Sequence, residues 1–147
     1  MNDIFILIGP TASGKSNLAI KLVNKFPFEI INADLFSAYR NLSIGTAKPT
    51  KEELNRYKHH LINILEPTMQ YNVSQYCTDA KKSIKEILCL KKIPLITGGS
   101  MMYVYQLLNG LSHEYDVSDT DLKLIKFIQN RYTNEQIFKS IYNYNPD

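Results

Sequence analysis

Residues 8–20 read IGPTASGKSNLAI, and within them positions 9–16 form the pattern Gly-x-x-x-x-Gly-Lys-Ser. The apolar run DIFILIGP at 3–10 predicts a buried strand that stops at Gly-Pro. Residues 15–25 predict a helix, because their apolar side chains recur at helical spacing. A strand, this pattern and a helix in that order are typical of a phosphate-binding loop. The stretch therefore predicts an α/β fold organised around a phosphate site.

The parts of this loop have different tasks in holding phosphate. Gly9 and Gly14 permit backbone angles that turn successive amide groups toward one point. The N-terminus of the following helix adds partial positive charge, Lys15 neutralises phosphate oxygens, and the Ser16 hydroxyl is a ligand for Mg²⁺. Taken alone, the loop fits ATP or GTP. The residues predicted to hold the phosphates and Mg²⁺ are Gly9, Pro10, Thr11, Ala12, Ser13, Gly14, Lys15 and Ser16.

Strand and helix patterns alternate from the loop to residue 110, which predicts a P-loop NTPase-like core with a mainly parallel sheet. Two helical stretches without strands follow. We therefore divide the chain into an incomplete α/β core, 1–112, and the beginning of a helical domain, 113–147. Because YNYNPD brings no closing strand, we expect the chain to be the front part of a longer protein. Strands are predicted at 28–34, 59–65 and 93–99, and helices at 51–58, 73–90, 100–109, 119–130 and 133–142.

Composition excludes several classes of protein. The chain has 147 residues, is 44% apolar and carries a net charge of +3, which is typical of a folded domain. Its two cysteines have no metal-binding spacing. The N-terminus lacks the features of a signal peptide, and no apolar run approaches the roughly 20 residues that span a bilayer. We expect a cytoplasmic protein, monomeric and without a membrane partner.

Two further stretches follow buried strands at the edge where α/β sheets place ligands. Asp34 ends the first, and three roles stay open for it: metal ligand, general base, or cap of the next turn. TGGS at 97–100 ends the second, where the glycines let backbone approach a ligand and Ser100 is placed to cap a helix. His59 and His60 are neighbours in a strand and point opposite ways, so we interpret them as structural.

Five segments in order resemble the tRNA dimethylallyltransferase family: GPTASGKS, INADLFSAYR, IGTAKP, HHLINILEP and IPLITGGSMMYVYQLLNGL. This family transfers a prenyl group to the adenosine next to the anticodon. The resemblance covers residues 4–111 and is weaker beyond them. It implies that the loop holds the diphosphate of dimethylallyl diphosphate with Mg²⁺, and that no nucleotide is hydrolysed.

The resemblance also assigns the chemistry. The exocyclic amine of adenine attacks the allylic carbon, diphosphate leaves, and Lys15 with the loop amides stabilises the charge on the leaving group. Asp34 occupies the position of the family's base, and Ser100 that of a threonine which contacts the reacting adenosine. The adenine must leave the stack of neighbouring nucleotides to reach such a pocket. The residues implied to meet tRNA are Asp34, Leu35, Phe36, Ser37, Ser100 and Lys123.

Two departures from the family bear on activity. Leu35 stands where the family usually has serine, which removes a hydroxyl beside the adenine. The family is about twice this length, and its second half supplies a further core strand, basic residues and more of the tRNA clamp. We therefore expect weak or absent activity on tRNA. Three alternatives stay open: a prenyltransferase acting on free adenine nucleotides, a nucleoside or nucleotide kinase, and an inactive fragment.

Overall fold

The computed structural model describes residues 3–10, 12–42, 48–110 and 118–144. Within these residues the chain forms four strands and seven helices. The strands are β1 Phe5–Ile8, β2 Phe28–Asn32, β3 His59–His60 and β4 Ile93–Gly98. The helices are α1 Lys15–Lys25, α2 Leu35–Ala38, α3 Lys51–Arg56, α4 Val73–Cys89, α5 Met101–Asn109, α6 Asp119–Arg131 and α7 Asn134–Tyr144.

The chain divides into two compact units, Met1–Leu111 and Ser112–Asp147. The first unit contains the sheet, and the second contains α6 and α7. A capping box begins α6, in which Ser118 Oγ accepts from the Asp121 amide and Asp121 accepts from the Ser118 amide. Among the helices described in either unit, none is long and apolar enough to cross a membrane.

The sheet of the first unit is parallel throughout, with the strand order β1-β4-β2-β3. Helix α1 covers one face, where Ala19 packs with Phe28, Ile30 and Leu95. Helix α4 covers the other face. A parallel sheet with helices on both faces confirms the predicted α/β fold. The second core contains Ile31, Tyr76, Cys77, Ala80, Ile84, Ile87 and Ile96.

Strand β1 lies at one end of this sheet and, in the described part of the chain, pairs only with β4. Its residues are all apolar, yet Phe5 is 49% exposed and Ile8 is 44% exposed. The Phe5 ring makes an edge contact with Phe28, at 5.1 Å between ring centroids. Within the described residues, the strand that leads into the phosphate loop is therefore hydrogen-bonded along one edge only.

The sequence predictions were wrong in detail around β3. The predicted strand at 59–65 ends at His60, because Leu61 (φ 61°) and Asn63 (φ 55°) adopt left-handed backbone that cannot continue a strand. The predicted helix at 51–58 ends at Arg56, two residues early. The four-residue helix α2 was not predicted, since a turn this short carries no apolar periodicity.

Candidate functional site

A cavity of about 310 Å³ lies at the edge of the sheet where β2 and β4 end. This is the edge at which α/β sheets bind ligands. The lining combines a polar and an apolar set of side chains. The polar and glycine positions are Ser13, Gly14, Lys15, Ser16, Asn17, Asn32, Asp34, Ser37, Glu53, His59, Thr97, Gly98 and Gly99. The apolar positions are Ala12, Ala19, Ile20, Ile30, Pro49 and Ile62.

The phosphate-binding loop forms one wall of this cavity. Ala12 (φ 64°) and Gly14 (φ 84°) both have left-handed backbone, so the chain turns sharply into α1 at Lys15. Gly14 is the N-cap and supplies no side-chain acceptor for the amides of the first turn. Such amides, with the positive end of the helix dipole, favour an anion. The Lys15 ammonium donates to the Pro10 carbonyl and, at 3.4 Å, to Ser13 Oγ.

Not every loop residue predicted to hold phosphate lines the cavity. Ala12, Ser13, Gly14, Lys15 and Ser16 do so. Gly9 and Pro10 lie in the turn behind them, where Pro10 accepts the lysine, and Thr11 lies outside the described residues. Most of the segment IGTAKP, positions 44–47, also lies outside them.

Asp34 faces the same cavity from the end of β2. Its Oδ1 accepts from the Phe36 amide at 3.0 Å, so Asp34 is the N-cap of α2. Of the three roles left open for Asp34, the structure shows the cap of the next turn. This contact uses Oδ1, and Oδ2 takes no part in it. Asn32 fixes the turn: its amide group donates to the Asp34 carbonyl at 2.8 Å, and its Oδ1 accepts from the Asp34 amide at 3.2 Å.

Ser100 does not have the capping role expected of it. It occupies the N-cap position of α5, but its side chain makes no hydrogen bond to that helix. Its Oγ instead accepts from the Leu35 amide at 3.3 Å, and its own amide donates to the Ala33 carbonyl at 2.9 Å. Ser100 thus ties the turn after β4 to the turn that holds Asp34. It does not line the cavity itself.

The other predicted tRNA contacts are placed differently. Ser37 lines the cavity and is 4% exposed, whereas Leu35 and Phe36 do not line it. The Phe36 side chain is 59% exposed. Lys123 is an exposed residue of α6, in the second unit of the chain. The structure therefore brings Asp34, Ser37 and the loop together, and leaves Phe36 directed at solvent.

The two histidines have different environments, as their alternation in a strand requires. His60 Nε2 lies 2.7 Å from Glu29 Oε2, and Lys92 donates to Glu29 Oε1 at 2.6 Å. Burial raises the pKa of Glu29, but Lys92 and His60 together outweigh it, and the pKa lies below its ordinary value. His60 is thus structural, as interpreted.

His59, unlike His60, lines the cavity, and its interpretation as structural stays a prediction. Its Nδ1 donates to the Tyr57 carbonyl at 2.8 Å, since a carbonyl can only accept. Burial lowers the pKa of His59 more than the Tyr57 carbonyl and the Glu53 carboxylate raise it. The favoured form is a neutral imidazole with its lone pair on Nε2. The sequence gives no signal for this difference, because it depends on the pairing of His59 with Ile30 in β2.

The donor atoms in the cavity suit Mg²⁺ bound mainly through phosphate. Ser16 and Asp34 both line the cavity with oxygen donors. Within the described ranges, no group of three or more His, Cys, Asp or Glu side chains could hold a metal ion by itself. Mg²⁺ is commonly held by one or two protein oxygens together with substrate phosphates, and the residues present fit that mode.

A family model described as IPP transferase matches residues 37–147. The chain belongs to the IPP transferase family. It is 47% identical over 121 residues to a tRNA dimethylallyltransferase from Leuconostoc mesenteroides, covering 82% of this chain and 41% of that protein. The family relationship confirms the resemblance seen in the five sequence segments.

Solved structures of IPP transferases agree with the fold. The tRNA delta(2)-isopentenylpyrophosphate transferase of Staphylococcus epidermidis matches with a TM-score of 0.69 at 33% identity, over 98% of this chain and 48% of that one. A eukaryotic dimethylallyltransferase, captured acting on tRNA, matches with a TM-score of 0.81 at 26% identity, over 98% of this chain and 36% of that one. The α/β unit is thus the P-loop-like core of this family, and the chain spans less than half the length of these relatives.

Proposed function

We propose that this chain carries the donor-binding and base-bearing part of a tRNA dimethylallyltransferase. The reaction moves a dimethylallyl group from dimethylallyl diphosphate to the exocyclic amine of the adenosine next to the anticodon. A carbon–nitrogen bond forms, the allylic carbon–oxygen bond breaks, diphosphate leaves, and the amine gives up a proton.

One observation supports this proposal most directly: a single cavity joins Lys15 and the loop to the carboxylate of Asp34. The transfer needs an anion site for the leaving group on one side and a proton acceptor on the other. Phosphoryl transfer would use the same loop and also commonly employs an aspartate beside it. The family relationship therefore favours prenyl transfer over phosphoryl transfer at this site.

The residues of the chain have separate tasks in this mechanism. Lys15 and the first-turn amides of α1 bind the diphosphate, and they stabilise it further as negative charge grows during departure. Mg²⁺, when bound through the Ser16 hydroxyl, supplies additional positive charge to the diphosphate oxygens. Asp34 accepts the amine proton. Its contacts with Asn32 and Phe36 hold it in position before substrate arrives. Ser100 positions the Asp34 turn through the Leu35 amide.

The acceptor side of the proposal rests on tRNA. Ser37 borders the cavity and Lys123 adds an exposed cation on α6, and we assign both to tRNA contact along with Leu35 and Phe36. We further propose that the protein works as a monomer in the cytoplasm, where it meets tRNA. The 147-residue chain by itself should transfer weakly or not at all, because it spans only part of the length of its relatives.

Thermal unfolding with added ligand tests the donor assignment. A ligand that binds only the folded state raises the melting temperature. Dimethylallyl diphosphate with Mg²⁺ should raise it, while ATP with Mg²⁺ at the same concentration should not. A shift with ATP alone would instead indicate a nucleotide kinase.

Prenyl incorporation by the purified chain tests the acceptor. Labelled dimethylallyl diphosphate is offered with tRNA and, in parallel, with AMP. Label in tRNA alone supports the proposal, whereas label in AMP would indicate a transferase for free adenine nucleotides. Turnover equal to that of a full-length relative would contradict the expected impairment.

A further inference from the structure

Ile62 is an apolar residue of the cavity that the proposed mechanism does not use. It lines the cavity together with Ala19 and Ile20 of α1, Ile30 of β2, and Pro49, which precedes α3. These side chains give the cavity an apolar part beside the phosphate loop. A diphosphate anion is not stabilised by such a surface. A hydrocarbon group attached to the diphosphate is stabilised, because its apolar area is removed from water.

The backbone around Ile62 is strained on both sides. Leu61 has φ 61° and Asn63 has φ 55°, so two residues that are not glycine flank Ile62 in left-handed backbone. Asparagine tolerates this region, whereas for leucine it is uncommon and unfavourable. Strain of this kind persists only where surrounding contacts impose it, and it is concentrated at functional sites.

Hydrogen bonds from two directions impose this backbone. The Asn32 amide group donates to the Leu61 carbonyl at 3.0 Å. On the other side, the Asn63 amide donates to the Ser37 carbonyl at 3.2 Å, and Arg40 Nε donates to the Asn63 carbonyl at 2.9 Å. Asn32 and Ser37 are themselves cavity residues, so the position of Ile62 is fixed relative to the site.

Lys48 completes this arrangement from outside the cavity. Its ammonium donates to Asn63 Oδ1 at 2.9 Å and to the Tyr39 carbonyl at 2.6 Å. Both acceptors are neutral oxygens, and burial lowers the pKa of Lys48. Among the described residues, this half-buried cation therefore forms no ion pair. It joins the backbone at Tyr39 to the loop that carries Asn63.

We propose that Ile62 contacts the hydrocarbon group of the allylic diphosphate and limits the length of the group that binds, with Lys48 and Asn63 as positioning residues. This inference rests on the proposed function. It adds a recognition element for the prenyl group that is separate from the anion site at Lys15.

The test measures dissociation constants of the 147-residue chain for three ligands with Mg²⁺: inorganic diphosphate, dimethylallyl diphosphate and geranyl diphosphate. Ile62→Ala should weaken dimethylallyl diphosphate roughly tenfold, as expected for lost carbons in an apolar pocket. It should leave inorganic diphosphate unchanged, which also shows that the variant is folded. The preference should shift toward the longer geranyl group. Ile64→Ala is the matched control, since Ile64 is in the same loop but does not line the cavity.

Lys48→Met should act in the same direction as Ile62→Ala, weakening dimethylallyl diphosphate but not inorganic diphosphate. A purely structural lysine would instead alter both ligands or neither. The inference is overturned if Ile62→Ala weakens inorganic diphosphate and dimethylallyl diphosphate equally, or weakens neither. It is also overturned if the unsubstituted chain binds inorganic diphosphate as tightly as dimethylallyl diphosphate. If the unsubstituted chain binds neither ligand, the proposed function itself fails.

Discussion

Gly98 lies against the backbone of Ala33 so closely that a Cβ atom at position 98 would come within 2.2 Å of the Ala33 carbonyl carbon and oxygen. The contact joins the end of β4 to the end of β2, just before the two turns that carry Ser100 and Asp34. The Ala33 amide donates to the Thr97 carbonyl at 2.8 Å across the same junction. Gly98 therefore serves the approach of one strand end to another, in addition to bordering the cavity.

Gly98→Ala should accordingly lower the free energy of unfolding by about 3 kcal/mol, because backbone atoms cannot yield as a side chain can. Chemical denaturation of the purified variant measures this. Gly14→Ala is the matched comparison: Gly14 has φ 84° and nothing near the added Cβ, so strain alone should cost about 1 kcal/mol. Equal losses in the two variants would contradict the packing argument.

Lys15→Ala should abolish the rise in melting temperature that dimethylallyl diphosphate produces. The free protein should be almost unaffected, within about 0.5 kcal/mol, because the contacts of Lys15 with Pro10 and Ser13 are exposed. Lys21→Ala, an exposed lysine on the same helix, serves as the control. An undiminished shift in Lys15→Ala would remove Lys15 from the anion site.

Asp34 can be tested for capping and for proton transfer separately. Asp34→Asn retains an N-cap oxygen and should leave stability unchanged, whereas Asp34→Ala should lose about 1 kcal/mol. In single-turnover reactions with excess protein, both should remove the prenyl incorporation that the unsubstituted chain retains, because neither side chain accepts the proton. If Asp34→Asn transfers at the original rate, capping is the whole role of this residue.

His59 should make the fold sensitive to acid. Its pKa lies below its ordinary value of 6.5, mainly through burial, so the unfolded chain takes up the proton first as pH falls. The associated stability is fully present above pH 6.5 and is lost as pH falls through the lower, folded pKa. His59→Gln keeps a donor for the Tyr57 carbonyl, and denaturation between about pH 8 and about pH 5 should then show a shallower decline. An unchanged decline would assign the acid sensitivity to other groups.

The parallel sheet and the loop could be predicted from sequence because their signals are local. The apolar runs at β1, β2 and β4 and the loop pattern each lie within a few consecutive residues. Helix α4 was predicted almost to the residue, since its apolar face repeats over 17 residues.

The features that could not be predicted depend on pairs distant in the sequence. Ser100 and Leu35 are 65 residues apart, and nothing in TGGS indicates that its hydroxyl serves α2 rather than α5. Asn32 resembled any residue of a short strand until its amide group was seen to join Asp34 to Leu61. The left-handed backbone at Leu61, which ends β3, is imposed by such contacts and is not a preference of leucine.

The one-sided pairing of β1 also has a consequence for handling the protein. Within the described residues, one edge of β1 has no strand partner. Such an edge is a template on which other chains add, and exposed apolar side chains such as Phe5 and Ile8 strengthen that tendency. Aggregation of concentrated samples should therefore begin at this strand. Because β1 leads directly into the phosphate loop, strand addition at this edge should lower ligand binding, and apparent affinities should fall as the protein concentration rises.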